Sequence, residues 1–257
     1  MSISAAYSAT GAAWQRGPGR VYDHLAEVLV AASPISLAGR RVLDVGAGTG
    51  AASRAIARAG GRVIAVDLAE GMLRVDQGQR APAAVADGRG LPVATDSCGA
   101  VVAAFSYNHV PDPHLALAEA ARVVAPGGVV LVSAYAEDDG HPVKAAADAA
   151  AAEAGWQRDR WADDLRTDAM PQLASAERAL IASQRAGLVA EAHIVDVPFP
   201  HLGAEDLVAW RMGMPTLAPF VASLPAKQRR AVTARALALL GEPPVLVRRM
   251  VIVTAPV

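Results

Sequence analysis

The chain has 257 residues and a formal charge of −1, with 24 basic and 25 acidic side chains. This balance excludes the excess of positive charge that is typical of a general nucleic-acid-binding protein. Hydrophobic residues make up 53% of the chain and charged residues 19%, so the sequence can bury a full core and is not typical of a disordered protein.

The single cysteine, Cys98, excludes an internal disulfide and a zinc cluster held by several thiolates. The first eleven residues lack the basic segment and the apolar core of a signal peptide, and every long apolar run is broken before it could span a membrane. We therefore expect a cytoplasmic protein, a monomer or a homodimer, that binds neither membranes nor nucleic acid.

Apolar, β-branched runs alternate with amphipathic stretches in the first half of the chain. The predicted helices are 21–32, 49–59, 69–77 and 113–124, and the predicted strands are 41–45, 62–66, 83–85, 100–105 and 129–134. Because these strands lack polar alternation and are separated by helices, they indicate a parallel sheet that is covered on both faces.

The pattern changes after residue 140. The predicted helices of this part are 141–155, 175–187 and most of 204–240, the predicted strands are 191–197 and 245–253, and 156–172 is predicted to be charged and irregular. Since no low-complexity linker or repeat separates the two halves, we predict one domain with an inserted helical cap.

The most informative motif is a strand that enters a glycine-rich turn, VLDVGAGTG at 42–50. Glycine is needed where a ligand approaches the backbone closely or where φ is positive, and the amides at the start of the following helix are free donors. The motif also fits the dinucleotide pattern G-x-G-x-x-A through Gly46, Gly48 and Ala51. By itself it therefore leaves the ligand open.

Three acidic residues narrow the range of ligands that the glycine-rich motif could bind. Asp44 lies two residues before the first glycine, where dinucleotide-binding folds usually have an apolar residue, and a carboxylate there suits a ligand with an ammonium group. Asp67 ends the second strand, where an acidic residue accepts hydrogen bonds from ribose hydroxyls. Asp87 follows the third strand and can accept a hydrogen bond from an adenine amino group.

With these residues in place, the sequence resembles class I S-adenosylmethionine-dependent methyltransferases of the small-molecule type (methyltransferase type 11), related to the ubiquinone-biosynthesis C-methyltransferases. The glycine motif, VDLAEGML, ADGRGLP, FSYNHVPDP and ARVVAPGGVVLVS occur in the order and spacing of that family, over about residues 37–135. One departure is Gly99, where similar sequences often have an acidic residue. The resemblance implies a Rossmann-like, doubly wound α/β sheet of seven strands in the order 3-2-1-4-5-7-6, with the last strand antiparallel and a helical cap inserted after strand 5.

The resemblance also implies S-adenosyl-L-methionine as the cofactor and S-adenosyl-L-homocysteine as its product. The residues that would bind the cofactor follow the ends of the predicted strands. They are Asp44, Gly46, Ala47, Gly48 and Gly50 at the methionine part, Asp67 at the ribose, Leu68 and Met72 against the adenine, Asp87 and Gly88 at the adenine edge, and Phe105 and Ser106 beside the methyl-bearing sulfur.

Within a single methyltransferase domain of residues 1–257, the resemblance predicts a cofactor-binding core at 37–135 and N-terminal lid helices at 1–34. Residues 140–187 and 203–240 are expected to form a helical cap that contributes to the substrate region. Aromatic residues outside the predicted strands are the candidates for substrate contacts, with ordinary packing as the alternative. Seven such aromatics are Tyr7, Trp14, Tyr22, Tyr107, Trp156, Trp161 and Trp210, and the five expected to contact the substrate are Trp14, Tyr22, Tyr107, Trp156 and Trp210.

Methyl transfer from a sulfonium is an in-line displacement, so the enzyme must align the nucleophile and in some reactions remove a proton. His109 follows the fourth strand and is the candidate general base, the alternative being a histidine that fixes the loop by hydrogen bonding. We find no carboxylate cluster with the spacing of a magnesium site and expect no metal.

The segment after the fourth strand, Ser106 to His109, lacks the Asn/Asp-Pro-Pro-Tyr motif of enzymes that methylate nucleobase amino groups. We therefore expect methylation of a small-molecule acceptor, a secondary metabolite, with oxygen as the first expectation for the accepting atom, then nitrogen and carbon. Two alternatives remain: an NAD-dependent oxidoreductase, whose Tyr-x-x-x-Lys motif is absent here, and a non-catalytic or repurposed S-adenosylmethionine-binding protein.

Overall fold

The computed structural model describes residues 2–257, in which seven strands form one sheet. The strands are β1 Arg41–Val45, β2 Arg62–Asp67, β3 Ala83–Val85, β4 Cys98–Ala104, β5 Val124–Tyr135, β6 Glu191–Phe199 and β7 Leu246–Pro256. Their order is β3-β2-β1-β4-β5-β7-β6. Strands β1 to β5 are parallel, and β7 is antiparallel to both β5 and β6, which confirms the predicted topology.

Helices lie on both faces of the sheet. They are α1 Ile3–Ser8, α2 Gly11–Arg16, α3 Pro18–Ala31, α4 Ala51–Arg58, α5 Glu70–Leu73, α6 Pro113–Val123, α7 Pro142–Glu153, α8 Arg160–Asp164, α9 Ala176–Arg185, α10 Ala204–Met212, α11 Ala218–Ser223 and α12 Ala226–Leu240. In the chain, α7 to α12 come between β5 and β7. Short 3₁₀ turns occupy Tyr107–His109 and Met170–Leu173, and a π-helical turn occupies Leu165–Ala169. None of the helices in residues 2–257 has the length and apolar character needed to cross a bilayer.

The sheet separates two apolar layers because neighbouring residues of a strand point to opposite faces. Val102 and Leu131 pack in the layer that includes residues of α3, α4, α7 and α10, whereas Val101 and Val130 pack in the layer of α6 and α9. All four side chains are fully buried. Burial on both faces explains why these strands are continuously apolar in the sequence.

The chain changes direction across the sheet between β1 and β4. From β1 it proceeds outward through β2 to β3, and it then returns to β4, on the other side of β1, and continues to β5. The loops after β1 and β4 diverge to opposite faces of the sheet at such a point, which leaves a crevice at the carboxyl ends of the strands. The fold thus positions a site next to the glycine-rich turn.

The predicted helix at 69–77 was wrong in its length, because α5 ends at Leu73. The Arg80 side chain donates through Nη1 to the carbonyl oxygens of Met72 and Leu73, which a continuing helix would need as acceptors. Asp76, with a φ of 50°, then turns the chain out of helical geometry. A side chain seven to eight residues further along the chain therefore takes the carbonyl acceptors of the missing helical turn.

The segment 156–172, predicted to be irregular, is largely helical from Arg160 onward. Its helical turns carry ion pairs on the surface, Arg160–Asp164 at 3.7 Å and Arg166–Asp163 at 3.5 Å. Charged pairs at this spacing support a helix that has only a small apolar face. The charged residues that led us to predict an irregular segment instead form ion pairs along helical turns.

Candidate functional site

A cavity opens at the carboxyl ends of β1 and β4, with an empty volume of about 1120 Å³ including the open solvent at its mouth. Most of the predicted cofactor-binding residues line it. These are Asp44, Gly46, Ala47, Gly48, Asp67, Leu68, Met72, Asp87, Gly88, Phe105 and Ser106. The exception is Gly50, which does not line the cavity and instead precedes α4 with a φ of 90°.

The glycine-rich turn brings the end of β1 against the loop after β4. Gly46 has a φ of 70°, and a Cβ atom on this residue would overlap Ser106 Cβ. The Ser106 hydroxyl donates to the Val45 carbonyl oxygen at 2.7 Å and holds the two segments together. Gly46 is thus required both by its backbone conformation and by close contact.

Asp44 is 1% exposed and is held in the cavity wall by Ser53 of α4, whose hydroxyl donates to Oδ2 at 2.6 Å. Burial raises the pKa of Asp44 to about 6. Its Oδ1 atom has no hydrogen-bond partner within residues 2–257. A buried carboxylate oxygen without a donor is costly unless a ligand pairs with it, and an ammonium group supplies both the charge and the donors.

Asp67 is fixed by two backbone amides. The Gly48 amide donates to Oδ2 and the Ala69 amide to Oδ1, each at 2.7 Å. Burial raises the pKa of Asp67, and these two hydrogen bonds oppose the effect. Because a carboxylate offers about four acceptor positions, roughly two remain for the hydroxyls of a ligand.

Arg80 supports the glycine-rich turn from outside the cavity, a role that the sequence analysis missed. Its Nη1 atom lies 3.1 Å from the Gly48 carbonyl oxygen, in addition to its contacts with α5. The guanidinium thereby joins the turn after β1 to the turn after β2. No local sequence pattern marks Arg80, since its partners lie up to 32 residues away.

Asp87, expected at the adenine edge, lines the cavity but is already paired with a neighbouring side chain. Arg89 donates to Asp87 Oδ1 through Nε at 3.1 Å and to Oδ2 through Nη2 at 2.7 Å. These hydrogen bonds lower the pKa of Asp87 and keep it ionised. The carboxylate is therefore oriented by Arg89, which the sequence analysis did not identify.

Three of the five aromatic candidates, Trp14, Tyr22 and Tyr107, line the cavity. Trp156 and Trp210 do not, so the structure as it stands does not bring them to the site. The Trp156 indole donates to the Thr216 carbonyl oxygen at 3.0 Å, and Trp210 is 2% exposed within the helical cap. Helix α10, which carries Trp210, packs against α7 and α3.

Helix α1 closes one side of the cavity, which the sequence analysis did not assign residue by residue. Ile3, Ser4 and Tyr7 of this helix line the cavity. The Tyr7 hydroxyl lies 3.3 Å from His109 Nε2, in the 3₁₀ turn after β4. The aromatic character of Tyr7 was the only sequence signal for its position here.

His109 lines the cavity and is half-buried, and desolvation by the surrounding protein lowers its pKa to about 4. The imidazole is therefore neutral near pH 7. Transfer of a proton to it from a phenol, with a pKa of about 10, is uphill by about 8 kcal/mol. The structure thus favours His109 as a hydrogen-bond acceptor or donor in the cavity over a strong base.

Across the described residues, His, Cys, Asp and Glu side chains do not form a group of three or more that could hold a metal ion. The site consists of carboxylates, backbone amides and aromatic rings around the cavity. Asp44 Oδ1, the close contact at Gly46 and the fixed carboxylate of Asp67 are all compatible with a ligand that joins an amino acid to a ribose.

Residues 43–132 match a family profile described as "Methyltransferase domain". The chain is 35% identical over 138 residues to demethylmenaquinone methyltransferase of Clavibacter sepedonicus, an alignment that covers 52% of this chain and 55% of the relative. It is 37% identical over 135 residues to demethylmenaquinone methyltransferase of Renibacterium salmoninarum, covering 52% and 55% of the two chains. The chain thus spans about half the length of these curated relatives.

The fold is also similar to phosphoethanolamine N-methyltransferase 2 of Haemonchus contortus, solved in complex with S-adenosyl-L-methionine. The TM-score is 0.54 and the identity 19%, over 91% of this chain and 52% of that one. This likeness concerns the fold, whereas the family profile concerns residues 43–132.

Proposed function

Because residues 43–132 form a methyltransferase domain of the class I S-adenosylmethionine-dependent family, we propose that the protein transfers the methyl group of S-adenosyl-L-methionine to a small-molecule acceptor. The single observation that carries the proposal is the unpaired Oδ1 of the buried Asp44 beside the glycine-rich turn. It supports a ligand whose charged end is an ammonium group, which a nicotinamide dinucleotide lacks.

In this proposal, 37–135 bind the cofactor, the helices in 1–34 cover it, and 140–187 with 203–240 contribute to the acceptor region. Asp44 pairs with the amino group, Asp67 accepts hydrogen bonds from the ribose hydroxyls, and Asp87 orients the adenine. The cofactor supplies an electrophilic methyl group on a positively charged sulfur. The protein residues hold and orient the reactants and exclude water.

His109 and Tyr7 are proposed to orient the acceptor. A neutral imidazole can accept a hydrogen bond from an acceptor hydroxyl and so direct an oxygen lone pair toward the methyl group. The Tyr7 hydroxyl, in contact with His109, fixes the ring and closes α1 over the reactants. This arrangement favours an acceptor oxygen that is activated by orientation more than by complete proton removal, such as that of a secondary metabolite.

Methylation of a ring carbon is the second candidate, because the curated relatives are named demethylmenaquinone methyltransferases. The two candidates differ in the product: an O-methyl ether and a C-methyl group give separate signals in the carbon NMR spectrum when the methyl donor carries carbon-13. A product whose labelled methyl group is bonded to carbon would show that carbon, and not oxygen, is the accepting atom. The proposed cofactor site would be unaffected.

Calorimetric titration with S-adenosyl-L-methionine, S-adenosyl-L-homocysteine and NAD tests the cofactor. Binding of the two sulfur compounds without NAD is the expected result, and binding of NAD alone would contradict the proposal. An acceptor panel that yields S-adenosyl-L-homocysteine then tests transfer. Cofactor binding without turnover on any acceptor would favour a repurposed binding protein.

A further inference from the structure

A second polar cluster lies behind the wall of the cavity, between the sheet and the helical cap. At its centre is Arg248 of β7, which is 2% exposed. Its Nε and Nη2 atoms donate to Asp139 Oδ1 at 2.9 Å and Oδ2 at 2.6 Å. The guanidinium lies 3.8 Å from the ring centroid of Tyr135 and 4.8 Å from that of Trp210.

Three polar atoms of this cluster have no hydrogen-bond partner in the described part of the chain: Arg248 Nη1, Trp210 Nε1 and Tyr135 Oη. The neighbouring Tyr22 hydroxyl affects the pKa of Tyr135 but forms no hydrogen bond of acceptable geometry with it. All three unpaired atoms carry hydrogens that can be donated. A buried donor without an acceptor reduces stability, and the rings of Tyr135 and Trp210 each lie against the Arg248 guanidinium, so an acceptor beside this guanidinium would pair with donors that now have none.

The charges around these donors include one partly exposed cation. Lys144 shares Asp139 with Arg248, its Nζ lying 3.0 Å from Oδ2, and the Lys144 side chain is 37% exposed. The buried pair of Arg248 and Asp139 is balanced, and solvent helps to compensate Lys144. A single negative charge on a ligand would complete the pairing of the two cations.

The cluster adjoins the cavity through aromatic rings. Tyr22 lines the cavity, and its ring centroid lies 5.4 Å from that of Phe105 and 6.1 Å from that of Tyr135. Phe105 and Tyr135 are themselves 4.4 Å apart. The rings of Tyr22, Phe105 and Tyr135 therefore separate the unpaired donors from the part of the cavity in which we propose that the methyl group is transferred. We call these three rings the partition.

We propose that Arg248, Trp210 and Tyr135 form a carboxylate-binding subsite for the acceptor. This inference rests on the proposed function, and it specifies the substrate class as a small carboxylic acid whose methyl-accepting group lies in the cavity. A carboxylate has two oxygens that can accept from the three donors, and its single negative charge pairs with the cation left over when the partly exposed Lys144 is counted, whereas a phosphate dianion would carry more negative charge than these cations balance. Access requires the Tyr22 ring to turn away from Tyr135, so that the acceptor replaces part of the partition.

Benzoate is the probe for this subsite, and benzamide, which has nearly the same shape without the charge, is the matched control. Each is titrated calorimetrically into the full-length protein in the absence and in the presence of S-adenosyl-L-homocysteine. We expect benzoate to bind at least about tenfold more tightly than benzamide, because a charged hydrogen-bonded pair is stronger than a neutral one. Equal affinities, or binding of neither compound, would overturn the subsite.

Tyr135→Phe is the diagnostic variant because it removes only the unpaired hydroxyl and keeps the ring beneath the guanidinium. We expect benzoate affinity to fall about fivefold to tenfold, while the affinity for S-adenosyl-L-homocysteine stays the same and the melting temperature of the free protein rises, because an unpaired buried hydroxyl is removed. Arg248→Met should abolish the preference for benzoate over benzamide. A Tyr135→Phe protein that binds benzoate normally would assign the cluster a purely structural role.

The two proposals fail separately. If S-adenosyl-L-homocysteine binds and benzoate does not, the subsite is wrong and the proposed cofactor site stands. If benzoate is preferred over benzamide and no sulfur compound binds, the subsite stands as a carboxylate site and the methyltransferase proposal is lost.

Discussion

The Tyr7 hydroxyl and His109 Nε2, 3.3 Å apart, connect α1 to the turn after β4 across the mouth of the cavity. The two residues are separated by 102 positions in the chain. Their rings are also in contact, with centroids 5.4 Å apart. The pair is thus a direct structural link between the N-terminal helices and the strand end at which the acceptor is proposed to bind.

Tyr7→Phe and His109→Ala should each lower kcat/KM about tenfold, since each removes the hydrogen bond that holds the closed arrangement. The double variant should be little slower than either single variant, because both changes remove the same interaction. Initial rates of the native protein, the two single variants and the double variant at saturating cofactor measure the coupling energy between Tyr7 and His109. Additive losses would show that the two residues act independently.

The rate at saturating cofactor should not change between about pH 6 and pH 8 as a result of His109 titration, because its pKa is about 4 and the ring stays neutral throughout. His109→Asn, which keeps a polar group but cannot titrate, is the matched control for the pH profile. A kcat that falls through a pKa near 6.5 in the native protein but not in this variant would contradict the assignment of a neutral histidine.

Cofactor affinity should decrease as the pH is lowered through about 6, the pKa of Asp44. Only the ionised carboxylate attracts the ammonium group, so the dissociation constant should rise about tenfold per pH unit well below that value. Calorimetric titration of S-adenosyl-L-homocysteine across this range measures the slope. 5′-Methylthioadenosine, which lacks the amino-acid part, is the control and should show no such dependence on Asp44.

Asp44→Asn should stabilise the free protein near neutral pH while weakening cofactor binding. The folded-state pKa of about 6 exceeds the ordinary value of 3.8, so the stabilising effect of protonation is complete below pH 3.8 and is lost as the pH rises through 6. At pH 7 the ionised carboxylate costs up to about 3 kcal/mol, which a neutral amide avoids.

Urea unfolding of the native protein and of Asp44→Asn at about pH 5 and about pH 8 tests this prediction. The variant should exceed the native protein in free energy of unfolding by more at the higher pH. Asp87→Asn is the opposite control. Because Arg89 lowers the pKa of Asp87, removal of this carboxylate should reduce stability at neutral pH. Equal stability of Asp44→Asn and the native protein at both pH values would mean that Asp44 is not destabilised by burial.

Asp67→Ala should weaken S-adenosyl-L-homocysteine binding by about 100-fold or more. The variant loses the acceptors proposed for the ribose hydroxyls and also releases the Gly48 and Ala69 amides that shape the turn. Glu70→Gln is the control, because Glu70 is exposed on α5 and pairs only with Arg74 in the described structure. Unchanged affinity of Asp67→Ala would remove this residue from the cofactor site.

The sequence by itself determined the strands and the turns between them in the region of β1 to β4. Asp44, Gly46 and Asp67 could be placed in advance because each lies within a few residues of a strand end, where local backbone geometry fixes the position of a side chain. The strand order followed from the family resemblance and was confirmed. The positions of Trp156 and Trp210 could not be obtained in this way, because they depend on how the cap helices pack.

Tertiary structure alone decided the contacts between distant segments. The sequence could not pair Tyr7 with His109, place Arg80 against the glycine-rich turn, or show that Arg248 contacts both Tyr135 and Trp210. It also could not indicate that burial would lower the pKa of His109 to about 4. Each of these features arises when segments that are far apart in the chain exclude water together, and the free energy of such burial belongs to the assembled surfaces rather than to any local run of residues.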